Sequence, residues 1–164
     1  MSARKPTASA RSLRPDPRFN DLVLSKFINC IMVRGQKASA QRIIYDALDV
    51  IAGRLAKETD PNAPKEPLAC FIMAIENVKP YVEVRSKRIG GANYQVPVQV
   101  NKKRAQALAF RWIIDGARSD KGRPMHMRLA DELYNAAKKE GKAMAVRDQT
   151  HRMAEANKAF AHFA

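Results

Sequence analysis

"VEVRSKRIGGANYQVPVQV", residues 82–100, is the stretch whose reading decides the fold. β-Branched residues recur at alternate positions on either side of Gly90-Gly91, which predicts two antiparallel strands joined by a tight turn at positive φ. Tyr94, Val96, Val98 and Val100 alternate with polar residues, and Val82 and Val84 are expected to match them. Beyond Val84 the alternation fails. Arg85 and Lys87 point to one side and Arg88 to the other, and burying any of them unpaired would cost several kcal/mol. Pro97 donates no ladder hydrogen bond, which suits a two-stranded ribbon better than a central strand. The expected element is a hairpin arm over about 81–101, with a valine-rich root on a body and a cationic outer end that buries neither face. At about 3.3 Å per residue it reaches on the order of 25 Å.

Outward from the hairpin the pattern becomes helical. Leu24, Phe27, Ile28 and Ile31 fall at i, i+3, i+4 and i+7 behind a cap at Asn20 or Asp21, and Gly35 is expected to stop that helix. A second helix starts near Ser39, with Ile44, Ala47, Leu48, Ile51 and Leu55 on one side. The run "KETDPNAPKEP" that follows reads as a surface loop. A third helix spans about Pro67 to Lys79, where Pro80 blocks continuation. After the hairpin, helices are expected over Lys103 to Arg118, over about Met125 to Lys139 with Gly141 as C-cap, and over about Val146 to Phe160. The fold class is mainly α: a single bundle of about six helices, a protruding two-stranded hairpin between helices 3 and 4, and an extended basic N-terminal arm. The domain reading is an arm over 1–18 and a helical domain over 19–164.

The 164 residues carry 30 Lys and Arg against 16 Asp and Glu, a net charge of +14, and the excess is concentrated. Residues 1–18 hold five cations and Asp16, a net +4; residues 81–104 hold six cations and Glu83, a net +5. Together they hold most of the excess, in arm and hairpin, which is the footprint of a polyanionic partner. Membranes are anionic too, but no apolar run approaches a spanning helix and no helix joins a basic face to exposed large aromatics. The N-terminus lacks the apolar middle of a secretory signal, so the expected compartment is the cytoplasm, an organellar transit peptide being the less favoured alternative.

Chemistry beyond binding finds little support. Gly90-Gly91 leads from strand to strand, not from strand to helix, and is a turn, not a phosphate-binding fingerprint. His126, His151 and His162 lack metal-ligand spacing, and Cys30 and Cys70 are expected to be buried, reduced thiols. No nucleophile and base stand at a catalytic spacing, so no catalytic residue, metal, cofactor or small-molecule substrate is expected. Arg34, Lys37 and Arg42 flank the first interhelical turn, where a helix N-terminus suits phosphate. The rival from another class is a DNA-architectural protein using a β-ribbon arm, which would need an apolar wedge near the tip; Ile89 is the candidate.

Six runs carry a resemblance: "PDPRF" from Pro15, "GQKASAQRIIYDAL" from Gly35, "ENVKPYVEVRSKRIGGANYQVPVQV" from Glu76, "LAFRWI" from Leu108, "RLADEL" from Arg128 and "HRMAEANKAFAH" from His151. Over nearly its whole length the chain resembles the universal small-subunit ribosomal protein S-seven family in its bacterial or organellar form. The resemblance implies a helical domain with a protruding hairpin that binds the 3′ major domain of small-subunit rRNA and starts assembly of the subunit head. It implies a position near the exit-tRNA site and the mRNA exit path, among head and platform ribosomal proteins. The RNA contacts it implies are Arg4, Lys5, Arg11, Lys37, Arg85, Lys87, Arg88, Lys103, Arg104, Arg111 and Arg152. The family often has an arginine pair where this chain reads Arg104-Ala105, so one contact is expected to be either missing or replaced by Lys102 or Lys103.

Overall fold

In the computed structural model the described residues are 13–58, 64 and 66–163. Six α-helices and one hairpin follow in the order α1 (Leu22–Ile31), α2 (Lys37–Leu55), α3 (Pro67–Val78), β1 (Val82–Ile89), β2 (Ala92–Gln99), α4 (Lys102–Ser119), α5 (Met125–Ala137) and α6 (Lys142–Ala156). A 3₁₀ helix, Lys158–Phe163, ends the described chain. The mainly helical class and the place of the hairpin between the third and fourth helices match the sequence expectation.

The core forms where the predicted apolar stripes meet. Phe27 of α1 sits edge-on to Phe71 of α3 and Phe110 of α4, at centroid separations of 5.3 and 5.1 Å. Ile44, Leu48 and Ile51 from α2, Ile75 from α3, Ile113 from α4 and Leu129 and Leu133 from α5 close around them, all essentially without exposed surface. Helix α5 packs on α2, α3, α4 and α6 and is the central post of the bundle. Burying stripes of this size is what holds short helices that would be marginal alone.

The described part of the N-terminal region is tied to this body. Asp16 is 2% exposed and accepts from its neighbours' Arg18 and Phe19 amides and from the Tyr45 hydroxyl at 2.7 Å. Burial, and next the hydrogen bond to Asp16, push the Tyr45 phenol up to about 12. Arg18 is paired with Asp49 at 2.5 Å. Arg4, Lys5 and Arg11 lie outside the described residues.

Several boundaries differ from expectation. Asp21 caps α1, accepting from Leu24 N at 2.6 Å, but the helix closes at Ile31 with Met32 N donating to Ile28 O. Gly35, at φ +75°, instead turns the chain into α2, which starts at Lys37. Gly141 is not the C-cap of α5. It is the N-cap residue of α6 at φ +94°, while α5 closes through Lys138 and the left-handed Lys139. Helix α6 therefore begins four residues earlier than the apolar pattern suggests. It breaks at Asn157, whose amide and side chain both donate to Met153 O. Cys70 is buried as expected, but Cys30 is exposed: its position on α1 lies off the buried stripe of Leu24, Phe27, Ile28 and Ile31.

Candidate nucleic-acid interface

The hairpin's turn determines its faces. Gly90 and Gly91 form a two-residue loop at φ +58° and +89°, so Ile89 stands opposite Ala92 and every pair joins an odd position to an even one. Both central residues have the positive φ that a type I′ hairpin turn requires and glycine supplies without strain. The parity then sorts the side chains. Arg85 faces Val96, Lys87 faces Tyr94 and Glu83 faces Val98 on one side, while Val82, Val84 and Arg88 share the other side with Gln99, Pro97 and Asn93. Val82 and Val84 thus do not continue the apolar face of Tyr94, Val96 and Val98, because a shared face would need a loop of odd length.

A second correction concerns burial. The face of Tyr94, Val96 and Val98 is turned toward α6 and the terminal 3₁₀ helix, so the ribbon is covered further out than a valine-rich root alone predicts, while Arg85, Lys87 and Arg88 stay exposed as expected. Val96 is fully buried, and the Tyr94 ring packs on Phe160 at 5.1 Å and Phe163 at 6.1 Å. Lys87 Nζ donates to Phe163 O at 2.6 Å. Glu83, 6% exposed, accepts from Arg85 Nε at 2.6 Å and from Arg104 Nε of α4 at 3.0 Å. Burial alone would raise this carboxyl's pKa, but the hydrogen bonds from Arg104 and then Arg85 outweigh it and hold it below the usual carboxylate range. One acid therefore lets this face lie on the body: Arg85 pairs with it and Lys87 reaches a backbone carbonyl, both side chains staying exposed, while Arg88 stands on the other face.

Arg88, Lys102 and Lys103 are exposed and have no acidic partner among the described residues. Lys102, Lys103 and Arg104 fill the first turn of α4, with Asn101 as cap accepting from Arg104 N at 2.9 Å and no acid in that turn. The helix dipole is positive here, so cations cost stability, typically a few tenths of a kcal/mol each. An anion placed here would meet the dipole together with the charges of Lys102 and Lys103, beside an Arg104 that Glu83 already holds.

From this turn the cations run down α4 at seven-residue spacing: Arg104, Arg111 and Arg118, a span of roughly 21 Å at 1.5 Å per residue. Arg111 and Arg118 line an open groove of about 520 Å³ between α1 and α4, with Cys30, Phe110 and Asp115. Arg118 donates to Ile31 O, the last residue of α1, at 3.3 Å. Three residues on comes the first interhelical loop with Arg34, itself at φ +53°, and the exposed Lys37 opens α2, whose first turn also has no acid. The structure thus lines up Lys102, Lys103, Arg104 and Arg111 on α4, links Arg85 to Arg104 through Glu83, puts Lys37 at the start of α2 and leaves Arg88 at the outer end of the hairpin's other face. Lys87 is diverted to the C-terminus. Arg152 stands apart on α6, exposed beside Gln149 and Met153. Arg34, which the sequence already sets at this turn, and Arg118 add two cations to those the resemblance implies; the seven-residue spacing from Arg104 and Arg111 is the sequence signal for Arg118.

Among the described residues no cluster of His, Cys, Asp and Glu could hold a metal ion, and no helix is long and apolar enough to cross a membrane. The sequence comparisons bear on the remaining possibilities. The profile of the family described as ribosomal protein S7p/S5e matches residues 3–158. The chain belongs to this family. A protein called small ribosomal subunit protein uS7 from Rhodopirellula baltica is 56% identical over 158 residues, covering 96% of this chain and 97% of that relative. Proteins of the same description from Desulfotalea psychrophila and Brucella anthropi are 51% and 48% identical, with at least 98% of both partners covered in each case.

Proposed function

We propose that the protein binds the 3′ major domain of small-subunit rRNA through the hairpin, the α4 N-terminus and the loop before α2, and thereby starts assembly of the subunit head. As a member of its family it is a structural constituent of the small ribosomal subunit in the cytoplasm and not an enzyme. The observation that carries the finer proposal is the first turn of α4. Three cations occupy a helix end that repels them, and such a breach of local preference is expected where function demands it. The proposed RNA contacts are Lys37, Arg85, Arg88, Lys102, Lys103, Arg104 and Arg111, with Lys87 and Arg152 apart from these on the side of α6 and the 3₁₀ helix, and Arg4, Lys5 and Arg11 in the arm.

Double-helical RNA hides its base edges, so the cations read backbone and shape. The exit-site tRNA, the mRNA exit path and neighbouring head and platform proteins are the proposed surroundings. A duplex-DNA wedge finds no support at the tip: Ile89 is half-buried and Pro97 lies opposite Val84 near the root. With about six to eight phosphates contacted, log K falls with log salt at a slope of roughly −4 to −7. Arg88→Glu with Lys103→Glu is expected to weaken binding to isolated 3′ major domain RNA at least tenfold in a filter-binding titration, with the circular dichroism spectrum unchanged. Equal affinity for that RNA and for duplex DNA at the same salt would reject the proposal.

A further inference from the structure

The hairpin root carries an aromatic pair that the proposed cationic contacts do not use. Tyr81 leads into β1 and is 68% exposed, the most exposed large hydrophobic side chain of the described residues. Its backbone is held, because Val100 N donates to Tyr81 O at 3.0 Å and so extends the hairpin's pairing by one step. Its ring lies 4.0 Å from that of His151 on α6, tilted by 40°. Burial first, and then the Arg147 charge, lower the pKa of His151, so at neutral pH it is an uncharged ring. Its Nε2 is buried without a hydrogen-bond partner among the described residues.

Beside this pair the hairpin root, α6 and the 3₁₀ helix enclose a recess of about 250 Å³. Val82, Pro97 and Ala154 give it apolar walls, and Gln99 and Lys158 stand at its lining. An exposed flat ring on a fixed backbone, an apolar slot, an amide that both donates and accepts, and a nearby cation are together what an unstacked nucleobase requires. Lys158 is held only by an exposed pair with Glu155 at 3.5 Å, too weak to withdraw it from a phosphate.

We infer that Tyr81, backed by His151, is a stacking platform for a single unpaired nucleobase of an RNA strand, with Gln99 at the base edge and Lys158 at the adjoining phosphate. The inference rests on the RNA-binding function proposed above. The surface charge of the protein favours a polyanion over an apolar peptide as occupant of this slot.

The test uses the full chain and two probes, a single-stranded nonamer RNA and the same nonamer with abasic sugars. Tyr81→Ala is expected to weaken the nonamer about five- to hundredfold and to leave the abasic strand unchanged, whereas Tyr81→Phe keeps the affinity of the parent. Equal affinities of parent and Tyr81→Ala for the nonamer would overturn the stacking site. That failure is separable from failure of the wider function, which Arg88→Glu with Lys103→Glu reports on the folded 3′ major domain RNA. In assembled subunits, ultraviolet cross-linking followed by mass spectrometry is expected to find a nucleotide on Tyr81. An adduct without added mRNA and tRNA assigns the base to rRNA, and one that appears only on their addition assigns it to those strands. Protection of Tyr81 by a protein segment, with no nucleotide adduct, would overturn the inference.

Discussion

The N-termini of α4 and α6 face the same physical problem and solve it in opposite ways. At α6 the acceptor comes from within: Glu132 of α5 is buried, and its Oε1 accepts from Ala143 N at 2.7 Å. Glycine makes room for it on two sides, since a Cβ at Gly116 or Gly141 would stand about 3.1 Å from the Glu132 carboxyl group. At α4 the cap is a neutral Asn101, and the first turn carries Lys102, Lys103 and Arg104 in place of an acid. The first terminus is closed by the protein's own anion; the second, where Lys102 and Lys103 have no acidic partner among the described residues, is the one proposed to take an anion from outside. Under the proposed function, the difference separates a helix end that serves the fold from one that serves binding.

The largest expected effect falls on the open end. Lys102→Glu with Lys103→Glu should weaken binding to 3′ major domain RNA about a hundredfold and flatten the salt dependence. An unchanged titration would remove the α4 terminus from the interface. At the closed end Glu132→Ala should cost about 1–3 kcal/mol in urea unfolding, because a buried N–H loses its acceptor, and should leave RNA affinity intact. Burial is the leading cause that raises the Glu132 pKa, with the Ala143 hydrogen bond opposing it. The folded protein thus holds that proton more tightly than the unfolded chain, so the Glu132 contribution to stability falls as pH rises from the unfolded value near 4.5 through the folded one. Glu132→Gln should remove that slope while keeping an acceptor.

Glu83 has the opposite sign. Its folded pKa is depressed, so its contribution is present above the unfolded value near 4.5 and is lost as pH falls through the folded value. Glu83→Gln should cost about 1–2 kcal/mol at pH 7, since Arg85 and Arg104 are themselves largely solvated, and the difference from the parent should vanish in acid. The smallest effect sharpens the comparison most. The Lys102→Glu and Lys103→Glu changes that weaken binding should each raise stability by about 0.3–1 kcal/mol, because an acid suits the dipole better than a lysine. A loss of stability there would mean that the cations hold the fold together.

Much of this was legible before any tertiary contact. Helical spacing placed the stripes of α1 to α5, Gly90-Gly91 placed the turn, and the count of cations marked hairpin and arm. The misreadings share a physical cause. Gly141 looks identical as the end of one helix or the start of the next until Glu132, nine residues back, supplies the acceptor. Val84 looks like a partner of Val96 until the two-residue loop sets the parity. Glu83 reads as one stray acid in a basic run until Arg104, 21 residues on, closes the pair.

Local periodicity, turn chemistry, the density of positive charge and the family are therefore properties of the chain itself, because they depend on neighbours within one or two turns. Which hairpin face is covered, which cations are paired and which remain free depend on groups brought together from distant positions. The pairing energy of a charge is set by its surroundings, and only the folded arrangement of β1, α4, α6 and the terminal 3₁₀ helix supplies those.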